Sequence, residues 1–445
     1  MITFQGAQVY LPGEIAETNV TIAEGRIAEI GGPAMGEVID ARGMILAPAL
    51  IDVHGDAFER QLMPRPGVFF PVEAAMLETD RQLAANGIAT AYHSVTLGFE
   101  PGLRAASHGR EVIEALIALA PRLTVENRVQ LRWETFATEA LDVVDWAMNG
   151  PIGTSLAFND HLSMSMRSFE TRIQDRLFEH NPDFAVVDID DPTLAEKRWS
   201  KQVARSGLSL EDYMALVRKV WARRPQVVET ITALAAKARD LGVPMLSHDD
   251  TQAETRAFYR ALGATASEFP MTMGPAEDAH AHGDTIIFGS PNAVRGGSHI
   301  GSLGAGDMVE AGLCDVLASD YYYPAMLAAV DRLDREKRAD RLALWSLVSA
   351  GPARAMKLED RGEIAPGKRA DLVLVDWPEG HMPAVRGTWV AGRCAYRAAP
   401  AASLRSPMHD RSPNRRNTRL CPLSRSGPAS RRAQSTPPAS GSLTP

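Results

Sequence analysis

The chain predicts a (β/α)8 TIM barrel, an α/β fold, with a small β-sandwich domain built from both chain ends. Three observations carry this expectation. Eight short apolar runs alternate with helical stretches across residues 48–359, a rhythm that favours a parallel barrel over an open doubly wound sheet. No glycine fingerprint for a dinucleotide follows the first run. Strand-like residues with tight turns fill residues 1–47 and 360–398, so the two termini are expected to form one composite β-domain.

Taken in order, residues 20–23 and 26–30 flank Glu24-Gly25, a hairpin signal. The barrel strands are expected at 49–54, 88–93, 129–134, 153–158, 243–248, 264–269, 285–289 and 315–320. The helical stretch 175–238 is long for a single connection and predicts an insertion or lid. Strands at 371–375 and 388–393 complete the β-domain. From Ala399 onward the composition changes to Arg, Ser and Pro, with eight arginines and one acid, Asp410. Residues 399–445 are therefore expected to be a disordered tail.

Composition narrows the function classes. Of 445 residues, 45% are hydrophobic and 23% charged, the balance of a globular enzyme. The net charge of -8 becomes -15 once the tail is set aside, which argues against nucleic acid as partner. Three widely spaced cysteines exclude a disulfide framework or cysteine zinc cluster. The N-terminus lacks a secretory pattern, and no apolar run approaches the ~18 residues of a membrane span. A cytoplasmic enzyme with no membrane partner is expected, with a homo-oligomer left open.

Polar residues gather where the strands end. His54-Gly55-Asp56 ends the first strand, Glu134 the third and Asn159-Asp160-His161 the fourth. Ser247-His248-Asp249-Asp250 ends the fifth, Glu268 lies in the sixth, and Ser319-Asp320 ends the eighth. In a barrel all these ends share the face where active sites lie. His54 and Asp56, two apart on a strand, point the same way. His54, Asp56, Glu134, His161, His248 and Asp320 are the expected metal ligands. This imidazole and carboxylate set suits Zn2+, with Mn2+ or Fe2+ as alternatives. Asp320 is also the expected general base. After the seventh strand comes Asn292-Ala293-Val294-Arg295-Gly296-Gly297-Ser298-His299. Its paired glycines suggest a backbone cradle for phosphate, gripped by Arg295, with Asn292 and Ser298 alongside and His299 as donor or acid. Arg65, in Pro64-Arg65-Pro66-Gly67, is expected to reach a second phosphate. His280 and His282 fall at a helix end and Cys314 beside the eighth strand, where structural roles are expected.

These segments, in this order, resemble the amidohydrolase superfamily, and within it a branch acting on ribose 1-alkylphosphonate triphosphates. The likeness covers about residues 1–397. It is most specific in Ser247-His248-Asp249-Asp250, Glu268-Phe269-Pro270, the loop from Pro291 to His299, and Ser319-Asp320-Tyr321-Tyr322. It implies metal-dependent hydrolysis of α-D-ribose 1-methylphosphonate 5-triphosphate to the 5-phosphate and diphosphate, within the carbon–phosphorus lyase pathway. The alternative is an amidohydrolase acting on a C–N bond: a deacetylase, deaminase or cyclic amidase. Two departures from the branch stand out: Leu162-Ser163-Met164-Ser165-Met166 after His161, and His93 at the end of the second strand.

Overall fold

The computed structural model describes residues 1–168, 170–187, 191–297 and 303–398, except the side chains of 192–197. The expected tail lies outside the described residues.

The N-terminal strands are β1 (Ile2–Leu11), β2 (Glu14–Ala23), β3 (Arg26–Ile30), β4 (Glu37–Asp40) and β5 (Ile45–Pro48). Eight parallel strands follow: β6 (Leu50–Gly55), β7 (Ile88–Leu97), β8 (Glu126–Glu134), β9 (Thr154–Asn159), β10 (Met245–His248), β11 (Ala266–Glu268), β12 (Thr285–Gly289) and β13 (Val316–Ala318). The chain closes with β14 (Leu372–Asp376), β15 (Ala384–Val390) and β16 (Arg393–Arg397). Strands β6 to β13 pair in sequence order into one sheet, and the remaining eight form another in which β14 pairs with β5. This is the expected barrel with a β-domain drawn from both ends.

The turns explain the local joins. Glu24 and Gly25 have φ of 51° and 77°, the twisted two-residue turn that suits a hairpin. The expected strand 388–393 is broken instead. Ala391 and Gly392, at φ 47° and 73°, reverse the chain between β15 and β16, and the turn packs against Gly25.

The second sheet curls around its own core, in which Phe4 meets Trp389 edge to face at 4.7 Å. Inside the barrel a layer of Ile51, Val53, Tyr92, Leu246, Ile287 and Val316 fills the lumen, so chemistry is confined to its rim.

Hydrogen-bonded pairing runs from β6 to β13, and the seam between these two is closed by a clasp. Asp320 N–H donates to His54 O (2.8 Å) and Asp56 N–H to Asp320 O (2.9 Å). Below them, buried Asp52 accepts from Ser319 N–H (2.9 Å) and Ser319 Oγ (2.5 Å). A side chain at Gly55 would meet the Asp52 carboxylate at 2.5 Å, so the clasp needs glycine there.

The expected insertion is present as helices Pro192–Ser206 and Leu210–Trp221, ahead of the barrel helix Arg224–Asp240.

Candidate active site

Backbone strain sets the rim. Asp249 and Phe269 directly follow β10 and β11, Asp320 lies two residues past the end of β13, and all three are in the left-handed region, at φ 55°, 56° and 55°. A non-glycine residue held there costs about 1–3 kcal/mol and is found where surrounding structure enforces it. The turn breaks the strand alternation, so Asp249 and Asp320 reach the cleft over the barrel.

That cleft brings together three overlapping groups whose donor atoms lie within 4.8 Å of one another: His54, Asp56 and Asp320; His54, His248 and Glu268; His161, His248 and Asp249. His54 Nδ1 stands 3.0 Å from Glu268 Oε1, and His248 Nδ1 stands 3.3 Å from Asp249 Oδ2. His161 Nε2 is 3.5 Å from the same Asp249 oxygen. Gln130 donates to Glu268 at 2.8 Å and fixes that carboxylate from below.

The donors fit a divalent cation. Among the described residues, His54 Nδ1, both ring nitrogens of His248 and Glu268 Oε2 are buried without a hydrogen-bond partner. Orphaned polar atoms of this kind are rare and need a partner. Burial pushes His54 down to about 3, keeping its imidazole in the neutral form that ligates. Burial, then the charge of Asp56, pushes Asp320 up to about 8. Burial likewise lifts Glu268 to about 7. Carboxylates crowded at this density call for positive charge. Part of it is Arg132 on β8, 5% exposed, whose Nη1 lies 3.3 Å from Asp56 Oδ2.

The expected ligands His54, Asp56, His248 and Asp320 therefore share one cleft, and His161 joins them through Asp249. Glu134 stands apart. Its Oε1 lies 2.5 Å from His161 Nδ1, so it orients that ring and belongs to none of the three donor groups.

The loop after β12 also differs from expectation. Gly296, at φ 77°, caps the helix Ser290–Arg295, and a side chain there would strike Arg332 at 2.7 Å. Gly296 N–H donates to Ala293 O and Gly297 N–H to Asn292 O. These N–H groups terminate a helix and do not form the expected anion cradle. Asn292 is likewise engaged, donating to Leu303 O and accepting from Ala305 N–H at 2.9 Å each. Arg295 remains as the loop's cation at the cleft. Ser298 and His299 lie outside the described residues. Arg65 sits on an exposed turn paired with Val68 and does not line the cleft.

Asp249, Glu268 and Arg132 were absent from the expected set. Register would have found two of them. His248 pairs with Glu268 across β10 and β11, and Arg132 lies two residues before Glu134, on the same face of β8.

Comparison with known proteins agrees with this architecture. Residues 188–396 match the family model described as "Amidohydrolase family". The chain is 29% identical over 396 residues to the Alpha-D-ribose 1-methylphosphonate 5-triphosphate diphosphatase of Escherichia coli (strain K12), covering 87% of this chain and 98% of that one. It is 25% identical over 394 residues to an adenine deaminase of Brucella suis biovar 1, covering 83% of this chain and 52% of the relative. In fold it resembles a D-hydantoinase from a Bacillus species, with TM-score 0.55 and 13% identity over 89% of this chain and 95% of that one.

Proposed function

We propose that this chain, which resembles the amidohydrolases in sequence and in fold, is a metal-dependent phosphoanhydride hydrolase. It cleaves the triphosphate chain of α-D-ribose 1-methylphosphonate 5-triphosphate, releasing diphosphate and leaving the 5-phosphate. The observation that carries this reading is the likeness to the Escherichia coli diphosphatase along almost its full length. The rim chemistry supports it.

His54, Asp56, His248 and Asp320 would hold a divalent ion, with Glu268, Asp249 and His161 around them. Zn2+ suits a donor set without thiolate, and Mn2+ or Fe2+ would fit the same set. When bound, such an ion supplies an acidified water and charge for the reacting phosphoryl group. Asp320, beside His54 and Asp56, is placed to accept the proton of the attacking water. Arg132, at the bottom of the cleft, faces the phosphoryl oxygens, and Arg295 at the mouth holds the leaving diphosphate. Glu134 keeps His161 turned to the cleft. The substrate is a small phosphorylated molecule. No helix among the described residues is long and apolar enough to cross a membrane, and we place the enzyme in the cytoplasm.

The adenine deaminase relatives favour one other reading, hydrolysis of a C–N bond at the same metal site. Incubating metal-loaded protein with ribose 1-methylphosphonate 5-triphosphate, followed by phosphorus NMR, separates the two. Diphosphate and the 5-phosphate are expected. No diphosphate, with hydrolysis of adenine or a cyclic amide instead, would promote the second reading.

A further inference from the structure

A second chamber adjoins the cleft. It is a cavity of about 360 Å3, against about 200 Å3 for the cleft itself, and the two share His161, Asp249 and Met271. Much of its wall comes from the long connection between β9 and β10. The short helix His161–Met166 supplies Leu162, Met164 and Ser165, and helix Pro192–Ser206 supplies Trp199 and Gln202. Leu162, Met164 and Ser165 belong to the segment in which the chain departs from the branch it resembles. This part of the pocket is therefore the chain's own.

The charged groups of the chamber are engaged within the protein. Arg104 donates to Glu59 at 3.0 and 2.9 Å. Arg205 pairs with Glu100, which also accepts from Tyr213 Oη at 2.5 Å. Glu134 is held by His161, and Asp249 by His161 and His248. Arg198 Nη1 donates to Ser165 O and Arg167 O at 2.9 and 3.0 Å, and Arg167 Nη1 to Met164 Sδ at 3.2 Å. The rest of the lining is uncharged. Phe99 and Trp199 offer aromatic surface, and Leu162, Met164 and Met271 add aliphatic and thioether surface. Such side chains pack well against a flat ring. Neutral polar groups complete the wall. Thr96 on β7 is 5% exposed, and its Oγ1 is buried with no hydrogen-bond partner among the described residues. An orphaned hydroxyl facing a cavity calls for a partner atom. The Gln202 amide can both donate and accept.

We propose that this chamber is a nucleobase pocket, and that the enzyme also cleaves nucleoside triphosphates to the monophosphate and diphosphate. The inference rests on the function proposed above for the reaction and changes only what the ribose carries at C1. A nucleobase is planar and uncharged, with donors and acceptors around its edge, which is what these walls suit. The methylphosphonate, smaller and anionic, uses little of them. The triphosphate lies over the metal centre towards Arg295, the ribose passes His161 and Asp249, and the base enters the chamber. The water oxygen bonds to the α-phosphorus, the bond from that phosphorus to the departing diphosphate oxygen breaks, and the water proton passes to Asp320. Binding energy gained at the base, which does not react, positions the phosphorus that does.

The test measures diphosphate release from ATP and from ribose 5-triphosphate, which lacks the base, with ribose 1-methylphosphonate 5-triphosphate as reference. Metal-loaded wild type is expected to favour ATP over ribose 5-triphosphate in kcat/KM by about 10- to 100-fold, the reach of one base stacked on aromatic side chains. Met164→Trp fills the chamber and should bring that ratio to about 1, removing the whole stacking gain. Thr96→Val deletes only the orphaned hydroxyl, and should lower the ratio by about 3- to 10-fold, the effect of one hydrogen bond. It decides the matter if Met164→Trp does not fold. A wild type that treats the two triphosphates alike, or a ratio that survives both substitutions, would overturn the pocket. Cleavage of the methylphosphonate reference without cleavage of ATP overturns the pocket and leaves the reaction standing. If no triphosphate is cleaved, the reaction falls, and the chamber is still read by calorimetric titration with adenosine. Saturable binding weakened by about 10-fold or more in Met164→Trp supports it. Absent binding, or binding indifferent to the substitution, overturns it.

Discussion

Asp320 occupies a left-handed backbone conformation, and this decides how its chemistry is best tested. Asparagine accepts that conformation more readily than other side chains. Asp320→Asn should therefore keep the fold, with Tm within about 2 °C of wild type, while the loss of the base lowers kcat by about 100- to 10,000-fold. Wild-type turnover in that variant would remove Asp320 from the mechanism. Arg295 makes a different prediction. It lines the cleft mouth, so Arg295→Ala should raise KM for phosphorylated substrates by roughly 10-fold. Unchanged KM and kcat would exclude the contact. Single residues were legible to different depths. His54, Asp56, His248 and Asp320 announce themselves by residue type at strand ends. Asp249 does not. Strict alternation would turn it away from His248, and only its left-handed turn brings it back.

Among the elements, the eight barrel strands are legible because each is a short apolar run ending in polar residues. Their lengths are not. The expected strands 264–269 and 315–320 shrink to β11 and β13: Phe269 turns left-handed directly after β11, and Asp320, two residues past β13, keeps only an isolated bridge to Gly55. The glycines after β12 end the helix Ser290–Arg295 instead of cradling an anion. Gly-Gly marks a helix end as readily as a phosphate cradle, and the hydrogen bonds settle which. The clasp between β6 and β13 carries the element-scale prediction. Gly55→Ala would push a methyl group into the Asp52–Ser319 contact. It should cost about 1–3 kcal/mol of stability, as overpacking does, and lower metal affinity together with Tm. A fully stable variant in chemical denaturation would show that the clasp yields without cost.

For the molecule as a whole, the joint between barrel and β-domain is electrostatic as well as apolar. Glu126, at the start of β8, receives Arg361 Nη1 at 2.7 Å, Arg128 Nε at 2.6 Å and Arg369. Burial alone would raise this carboxyl; the three guanidiniums outweigh burial and hold it at about 2. A depressed carboxyl stabilises the fold at pH above its unfolded value of 4.5, and the contribution disappears as pH falls towards 2. Glu126→Gln should then lose roughly 2 kcal/mol at pH 7, and urea titrations should show the gap to wild type closing below about pH 4. A pH-independent gap would assign the effect to packing. Such pairings were not legible in the sequence, since more than 230 positions separate Glu126 from Arg361. The Asp52–Ser319 bond is longer-ranged still, at 267 positions, and it has a temporal consequence. A contact of that span closes a long loop of chain, which costs entropy and slows its formation. His54 and Asp320 thus meet only when the first and last strands do. A barrel still lacking its eighth strand has no Asp320 beside His54, so the site is completed only when the ring of strands closes.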